Sequence, residues 1–186
     1  MANVYLCLLH YPVFNKRQDV VATCITGFDL HDIARTAATF GIKKYYVINP
    51  MPAQREFAER IVGFWGDEES VEFNWTRAEA FKLISIKENL EEAVADIEQI
   101  EGQKPVLVAT SAKPNGAVKF ENLRLEIRNS DKPYLIMLGT GWGMTDELLA
   151  KADIILEPIK GAGDYNHLPV RSANAIILDR LLGNVS

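Results

Sequence analysis

Hydrophobic and polar positions change period repeatedly along this chain, and each change marks an element. Val4 to Leu9 (VYLCLL) is a continuous apolar run, which predicts a buried strand. His10 to Thr26 is mixed and carries Pro12, Asn15, Lys16 and Arg17; it reads as a loop followed by a short strand at Val20 to Ile25. From about Asp29 to Phe40, Leu30, Ile33, Ala34 and Ala37 form one helical stripe. Asp29 suits the N-cap, Asp32 completes a capping-box pattern, and Gly41 ends the helix. Lys43 to Ile48 is the next strand and Asn49-Pro50 its turn. Ala53 to Trp65 follows as a helix with Phe57, Ile61 and Phe64 on one face, and Gly66 to Asn74 reads as irregular. A short helix around Arg77 to Phe81 precedes a strand at Lys82 to Ile86. Asn89 then caps a helix running to Ile100, with Leu90, Ala93, Val94 and Ile97 inward and Glu91, Glu92, Asp96 and Glu98 on a solvated outer face.

The second half repeats strand and loop. Val106 to Ala109 leads into Thr110-Ser111-Ala112-Lys113-Pro114, Tyr134 to Leu138 into Gly139-Thr140-Gly141-Trp142-Gly143, and Ile154 to Leu156 into Pro158 to His167. The tail, Glu157 to Asn184, gathers Gly161, Gly163, Asp164, Tyr165, Asn166 and His167 and then turns helical. Pro169 fits the first helical position, Val170, Ala173, Ile177 and Leu181 recur at helical spacing, and Gly183 suits the C-terminal cap. Alternating strands and helices predict an α/β fold, a parallel sheet with helices on both faces. No internal repeat and no linker divides it, so residues 1–186 read as one domain.

Composition narrows the function. The chain has 186 residues and a net charge of −5, which argues against a general nucleic-acid coat and leaves RNA open as a specific substrate. Cys7 and Cys24 lack metal-ligand spacing and sit in apolar surroundings, so both read as buried, inert thiols. No apolar run is long enough to span a membrane and no signal-peptide pattern opens the chain, so the expectation is a cytoplasmic protein without a metal.

Ligands of open parallel sheets bind outside the carboxyl ends of the strands. Three such ends carry small, hydroxyl or glycine residues: Thr110 and Ser111; Gly139, Thr140 and Gly141; Gly161 and Gly163. Neither a P-loop nor a G-x-G-x-x-G fingerprint is present. A nucleotide-like pocket of another kind remains. Among the polar residues, Arg35 lies opposite the apolar stripe of its helix and reads either as a functional arginine or as one paired with Asp32 or His31. His167 reads as a base or as a helix-start cap, and Trp142 as a stacking or a packing residue.

On these residues a family resemblance stands. FDLHDIARTAATFGIKKYYVINP (Phe28 to Pro50) resembles the first motif of the SPOUT, or α/β-knot, RNA methyltransferases; LGTGWGMTDELL (Leu138 to Leu149) is similar to their second motif and NHLPVRSANAIIL to their third. The whole chain also resembles small SPOUT proteins related to the C-terminal region of the tRNA guanine-N1 methyltransferase, through Gly163 to Tyr165, Leu168-Pro169 and Leu178 to Gly183. The resemblance implies a six-stranded parallel sheet with a C-terminal deep trefoil knot, a homodimer, and S-adenosylmethionine as cofactor.

It further implies a cofactor site at Thr110, Ser111, Ala112, Leu138, Gly139, Thr140, Gly141, Ile159, Gly161, Asn166, Leu168 and Arg171, and catalytic roles for Arg35, Asp164 and Arg171. Arg35 matches the motif-one arginine. Asp29 stands where the family carries asparagine, Gly139-Thr140-Gly141 where it carries Gly-Asn-Glu, and Pro169 and Arg171 where it carries Asn and Ser. Base-nitrogen and ribose 2′-O methylation are both open. Asp164, Asp29 and His167 compete as proton acceptor, and Lys16, Arg17 and Lys113 are outer phosphate contacts or solvated charges. The expected activity is methyl transfer to tRNA or rRNA; the alternative is a non-catalytic cofactor- or RNA-binding module on the same knot.

Overall fold

The structure is a computed structural model and describes residues 2–112, 117–163 and 165–184, with the backbone alone at Glu68. Its organising element is the first apolar run, β1 (Val4–Leu9), buried along its whole length. The chain continues through β2 (Val13–Phe14), β3 (Val20–Val21), α1 (Gly27–Thr39), β4 (Tyr45–Ile48), α2 (Pro52–Gly66), α3 (Glu68–Phe73), α4 (Trp75–Phe81) and β5 (Ile84–Lys87). It then forms α5 (Leu90–Glu101), β6 (Val106–Thr110), α6 (Phe120–Asn129), β7 (Tyr134–Gly139), α7 (Asp146–Leu149), β8 (Ile154–Leu156) and α8 (Val170–Leu182).

Six strands form one sheet in the order β5-β4-β1-β7-β6-β8, every neighbouring pair parallel. Strand periodicity splits β1 between two cores. Leu6 and Leu8 enter a core shared with α1, α6 and α8, whereas Tyr5, Cys7 and Leu9 face a second core with α5 and α7. A strand buried on both faces needs apolar residues at every position, which is why the pattern of β1 is continuous. α8 packs on α1 and α6, which brings the tail back against the first helix.

Several local expectations are corrected. α1 begins two residues earlier than read: Thr26 is its N-cap and accepts from the Asp29 N–H, while its hydroxyl donates to Asp29 Oδ2 at 2.6 Å. Asp29 is therefore in the first turn and buried rather than capping. The segment read as irregular contains the helix α3, and an antiparallel hairpin of β2 and β3 occupies the first loop. On α2 the buried residues are Ala58 and Trp65, while Phe57 and Phe64 face outward. Asp96 is no solvated bystander: it accepts from Lys44 Nζ and from the buried Tyr46 hydroxyl. Burial works to raise its carboxyl, but the bonds from Lys44 and Tyr46 outweigh that and hold it below the usual carboxylate range. Cys7 is buried, and burial pushes its thiol far up; Cys24, against expectation, is exposed. No helix among the described residues is long and apolar enough to cross a membrane.

Candidate active site

From β1 the chain steps outward to β4 and β5, then crosses to the other side and fills β7, β6 and β8. Leu9, the last residue of β1, pairs with Ile48 on one side and Gly139 on the other. Adjacent connections leave this point in opposite directions, which opens a crevice at the carboxyl ends of the strands. A cavity of about 720 Å³ lies there.

One wall comes from three loops. The ends of β6 and β7 contribute Thr110, Ser111, Ala112, Leu138, Gly139, Thr140 and Gly141; the segment between β8 and α8 contributes Ile159, Asn166, Leu168 and Arg171. Eleven of the twelve residues named from sequence for the cofactor thus surround one cavity. Gly161 does not: it is exposed and lies away from the lining. Glycine is required twice in the β7 loop. A Cβ on Gly139 would meet Met144 Cγ at 2.8 Å and its backbone nitrogen at 3.0 Å. Gly141 has φ +59° and a Cβ there would meet the Phe14 carbonyl oxygen at 2.8 Å. The hairpin braces this loop, with Trp142 N–H donating to Phe14 O and Phe14 N–H to Gly143 O. The Thr110 hydroxyl donates to Met137 O at 2.8 Å, tying the ends of β6 and β7 together.

Charge is sparse and mostly engaged. Arg171 lies 3.2 Å from Asp32 and 3.6 Å from the buried Asp29, and it sits over the Phe28 ring. Arg171, given a catalytic role from sequence, is thus held by two carboxylates of α1, and the partner imagined for Arg35, Asp32, belongs to Arg171. Arg35 is exposed, lines no part of the cavity, and has no ion pair among the described residues. Asp164 and Lys113 lie outside the described residues. Lys16 and Arg17 stand exposed in the hairpin turn. At the cavity mouth the His167 ring meets Trp142 at 5.8 Å and Tyr165 at 5.5 Å, both edge to face. No cluster of metal-ligating side chains occurs among the described residues.

A further stretch of the lining was missed. His10, Thr23, Cys24 and Thr26 line the cavity from the end of β1 and the link into α1. His10 is fully buried; burial pushes its imidazole down to about 4, opposed in part by Asp29. The available signal was a histidine directly after a doubly buried strand, at a strand carboxyl end, in a segment read only as loop.

A family model described as SAM-dependent RNA methyltransferase matches residues 3–183. An uncharacterized protein of Aquifex aeolicus is 47% identical over 181 residues, covering 96% of this chain and 88% of that protein. The tRNA (guanine-N(1)-)-methyltransferase of Oleidesulfovibrio alaskensis is 42% identical over 182 residues, 98% of this chain; the chain spans only 42% of that relative's length. Among solved structures, the SpoU methyltransferase AviRb of Streptomyces viridochromogenes in complex with AdoMet has a TM-score of 0.57 at 17% identity, covering 96% of this chain and 56% of that one, a likeness of fold. With the sheet order, the loop cavity and the match over nearly its whole length, the chain belongs to the family of S-adenosylmethionine-dependent RNA methyltransferases.

Proposed function

We propose that residues 1–186 form one SPOUT domain that methylates tRNA in the cytoplasm, with S-adenosylmethionine held by the three-loop wall. The observation that carries this reading is the convergence of eleven independently named residues on one cavity at the switch point. Its volume suits a ligand of cofactor size, since small-molecule sites run from ~300 to ~1,000 Å³. The residues fit the group chemically. The glycines at 139 and 141 leave room for close backbone approach, the loops of β6 and β7 offer backbone donors and acceptors to an adenosine, and Asp29 and Glu157 line the cavity near a cationic ligand. When bound, the cofactor supplies an activated methyl on a sulfonium. The chain's own work is to orient that ligand and hold the accepting nucleotide in line.

The printed name of the Oleidesulfovibrio relative supports tRNA as the substrate class. The atom named there belongs to a chain of which 58% (100 − 42) lies outside the match, so it is not carried over. Trp142, Tyr165 and His167 offer ring faces at the mouth on which a flipped-out base stacks. Lys16 and Arg17 reach backbone phosphates. Asp29 is already committed to Thr26 and Arg171, which leaves Asp164 and His167 to take the proton. We further propose that the tail is knotted; β7 lies between β1 and β6, both earlier in sequence, and α8 returns onto α1, as such threading requires. The active form is a homodimer that brings Arg35 of one copy to the cavity of the other. Exposed Phe28 and Leu168 beside the α1 and α8 starts supply an apolar contact for it.

Calorimetric titration with S-adenosylhomocysteine, followed by transfer of tritiated methyl from S-adenosylmethionine to tRNA transcripts, tests the reading. Micromolar binding and labelled tRNA are expected, and nucleoside digestion then identifies the atom. No binding by the wild-type protein sinks the cofactor site; binding without transfer sinks the tRNA substrate.

A further inference from the structure

His10 follows the last residue of β1. It is fully buried, it is among the residues lining the cavity, and its Nε2 has no hydrogen-bond partner among the described residues. A chain of bonds from the other ring nitrogen fixes where the protons lie. Thr140 Oγ1 is 3.0 Å from the Leu9 carbonyl oxygen, which only accepts, so Thr140 donates there. Thr23 Oγ1 is 2.6 Å from Thr140 Oγ1 and must donate into it, because Thr140 has no second proton. His10 Nδ1 is 2.9 Å from Thr23 Oγ1, whose one proton is now used, so Nδ1 carries hydrogen and donates. The reverse arrangement would set Thr140 Oγ1 against Leu9 O, acceptor to acceptor, and bury an Nε2–H donor with nothing among the described residues to receive it. A neutral imidazole has one N–H, so Nε2 presents a bare lone pair. Protonation of Nε2 is resisted by the same burial that holds the imidazole low. The ring is an acceptor at neutral pH and not a cation.

This acceptor is held rigidly. His10 N–H donates to Ile48 O, its carbonyl accepts from Thr23 N–H, and Asn49 Nδ2 donates to Thr23 O. It enters the cavity from the end of β1, an element outside the three loops assigned to the cofactor, and is tied through Thr23 to Thr140 of the β7 loop. A buried polar group left unpaired costs free energy unless a ligand completes it.

We propose that His10 Nε2 accepts a hydrogen bond from the N–H or O–H of the nucleotide that receives the methyl group, making His10 a recognition residue of the RNA side of the site. The proposal rests on the methyltransferase reading above. An amine of the cofactor offers the same donor chemistry, and the test separates the two.

Side-chain nitrogen-15 spectra, assigned with His10→Gln, read the tautomer directly. A protonated Nδ1 and a bare Nε2 are expected; a protonated Nε2 overturns the proposal. S-adenosylhomocysteine is then added, followed by a tRNA transcript. An Nε2 shift that waits for the tRNA supports the assignment. A shift complete with S-adenosylhomocysteine alone gives the donor to the cofactor and overturns it, as does no shift with either. In methyl transfer, His10→Leu is expected to lose about 10-fold in kcat/KM while S-adenosylhomocysteine affinity stays within about 3-fold, and His10→Gln, which keeps an acceptor, to recover most of the rate. Equal losses in both variants overturn the proposal. If the wild type fails to bind S-adenosylhomocysteine, the methyltransferase reading falls instead, and the tautomer still reports on His10.

Discussion

At the scale of single residues, the site is built from groups whose ordinary freedom has been removed. His10 is the sharpest case. Its folded imidazole is held near 4, below the ~6.5 of an unfolded histidine, so between those values the unfolded chain binds the extra proton. The stability it contributes is fully present above about pH 6.5 and is lost as pH falls toward 4, up to about 3 kcal/mol for the shift. Urea denaturation between pH 4 and 7 measures this, and His10→Gln should flatten the profile across that window. Gly141 is constrained by backbone shape. With φ +59° and the Phe14 oxygen at 2.8 Å from an added Cβ, Gly141→Ala should cost about 1–3 kcal/mol and weaken S-adenosylhomocysteine binding. A variant as stable and as tight-binding as wild type would show that the loop relaxes freely.

Elements fix where those residues stand. α1 is the most informative, because its start does two jobs. Thr26 caps the helix through the Asp29 N–H and also orients the Asp29 carboxylate, which faces Arg171 of α8. Thr26→Ala should destabilise the fold by about 1 kcal/mol, as loss of an N-cap does. Thr26→Ser, which keeps the hydroxyl, should restore it in the same thermal melts. The periodic signal located α1 from Leu30, Ile33, Ala34 and Ala37, all buried as read. It did not locate the cap, because both Thr26 and Asp29 are capping residue types and only the backbone turn selects one. α3 escaped for a related reason: six residues rich in acids give too short a stripe to read. On α2 the aromatic face was legible but its direction was not, since Ala58 and Trp65, with the half-buried Ile61 and Val62, fill the space beneath that helix.

At the scale of the whole molecule, the sheet order does what no single element does. By placing β7 between β1 and β6, it gathers loops separated by tens of residues onto one cavity and leaves Arg35 outside it. The homodimer reading makes a definite prediction from that separation. Arg35→Ala and Arg171→Ala, each inactive alone, should regain up to about a quarter of wild-type methyl transfer when coexpressed and mixed. That is the statistical share of sites that keep both arginines, because about half of the dimers are mixed and each mixed dimer of a closed twofold pair keeps one of its two shared sites. Mixed preparations that stay inactive would place each site within one chain.

The sequence by itself determined what local periodicity and residue chemistry control. These are the strands buried on both faces, the helical stripes, the small, hydroxyl and glycine residues at the ends of β6 and β7, and the motif order that marks the family. Tertiary structure alone decided what depends on encounters across the chain. It paired Arg171 with Asp29 and Asp32, tied Asp96 to Tyr46, exposed Cys24, moved Gly161 off the cavity, and ran the His10–Thr23–Thr140–Leu9 hydrogen bonds across more than a hundred positions. The physical reason is range. Hydrophobic pattern acts between neighbours three or four residues apart, while a proton's place on a buried ring is set by whichever groups folding brings within 3 Å.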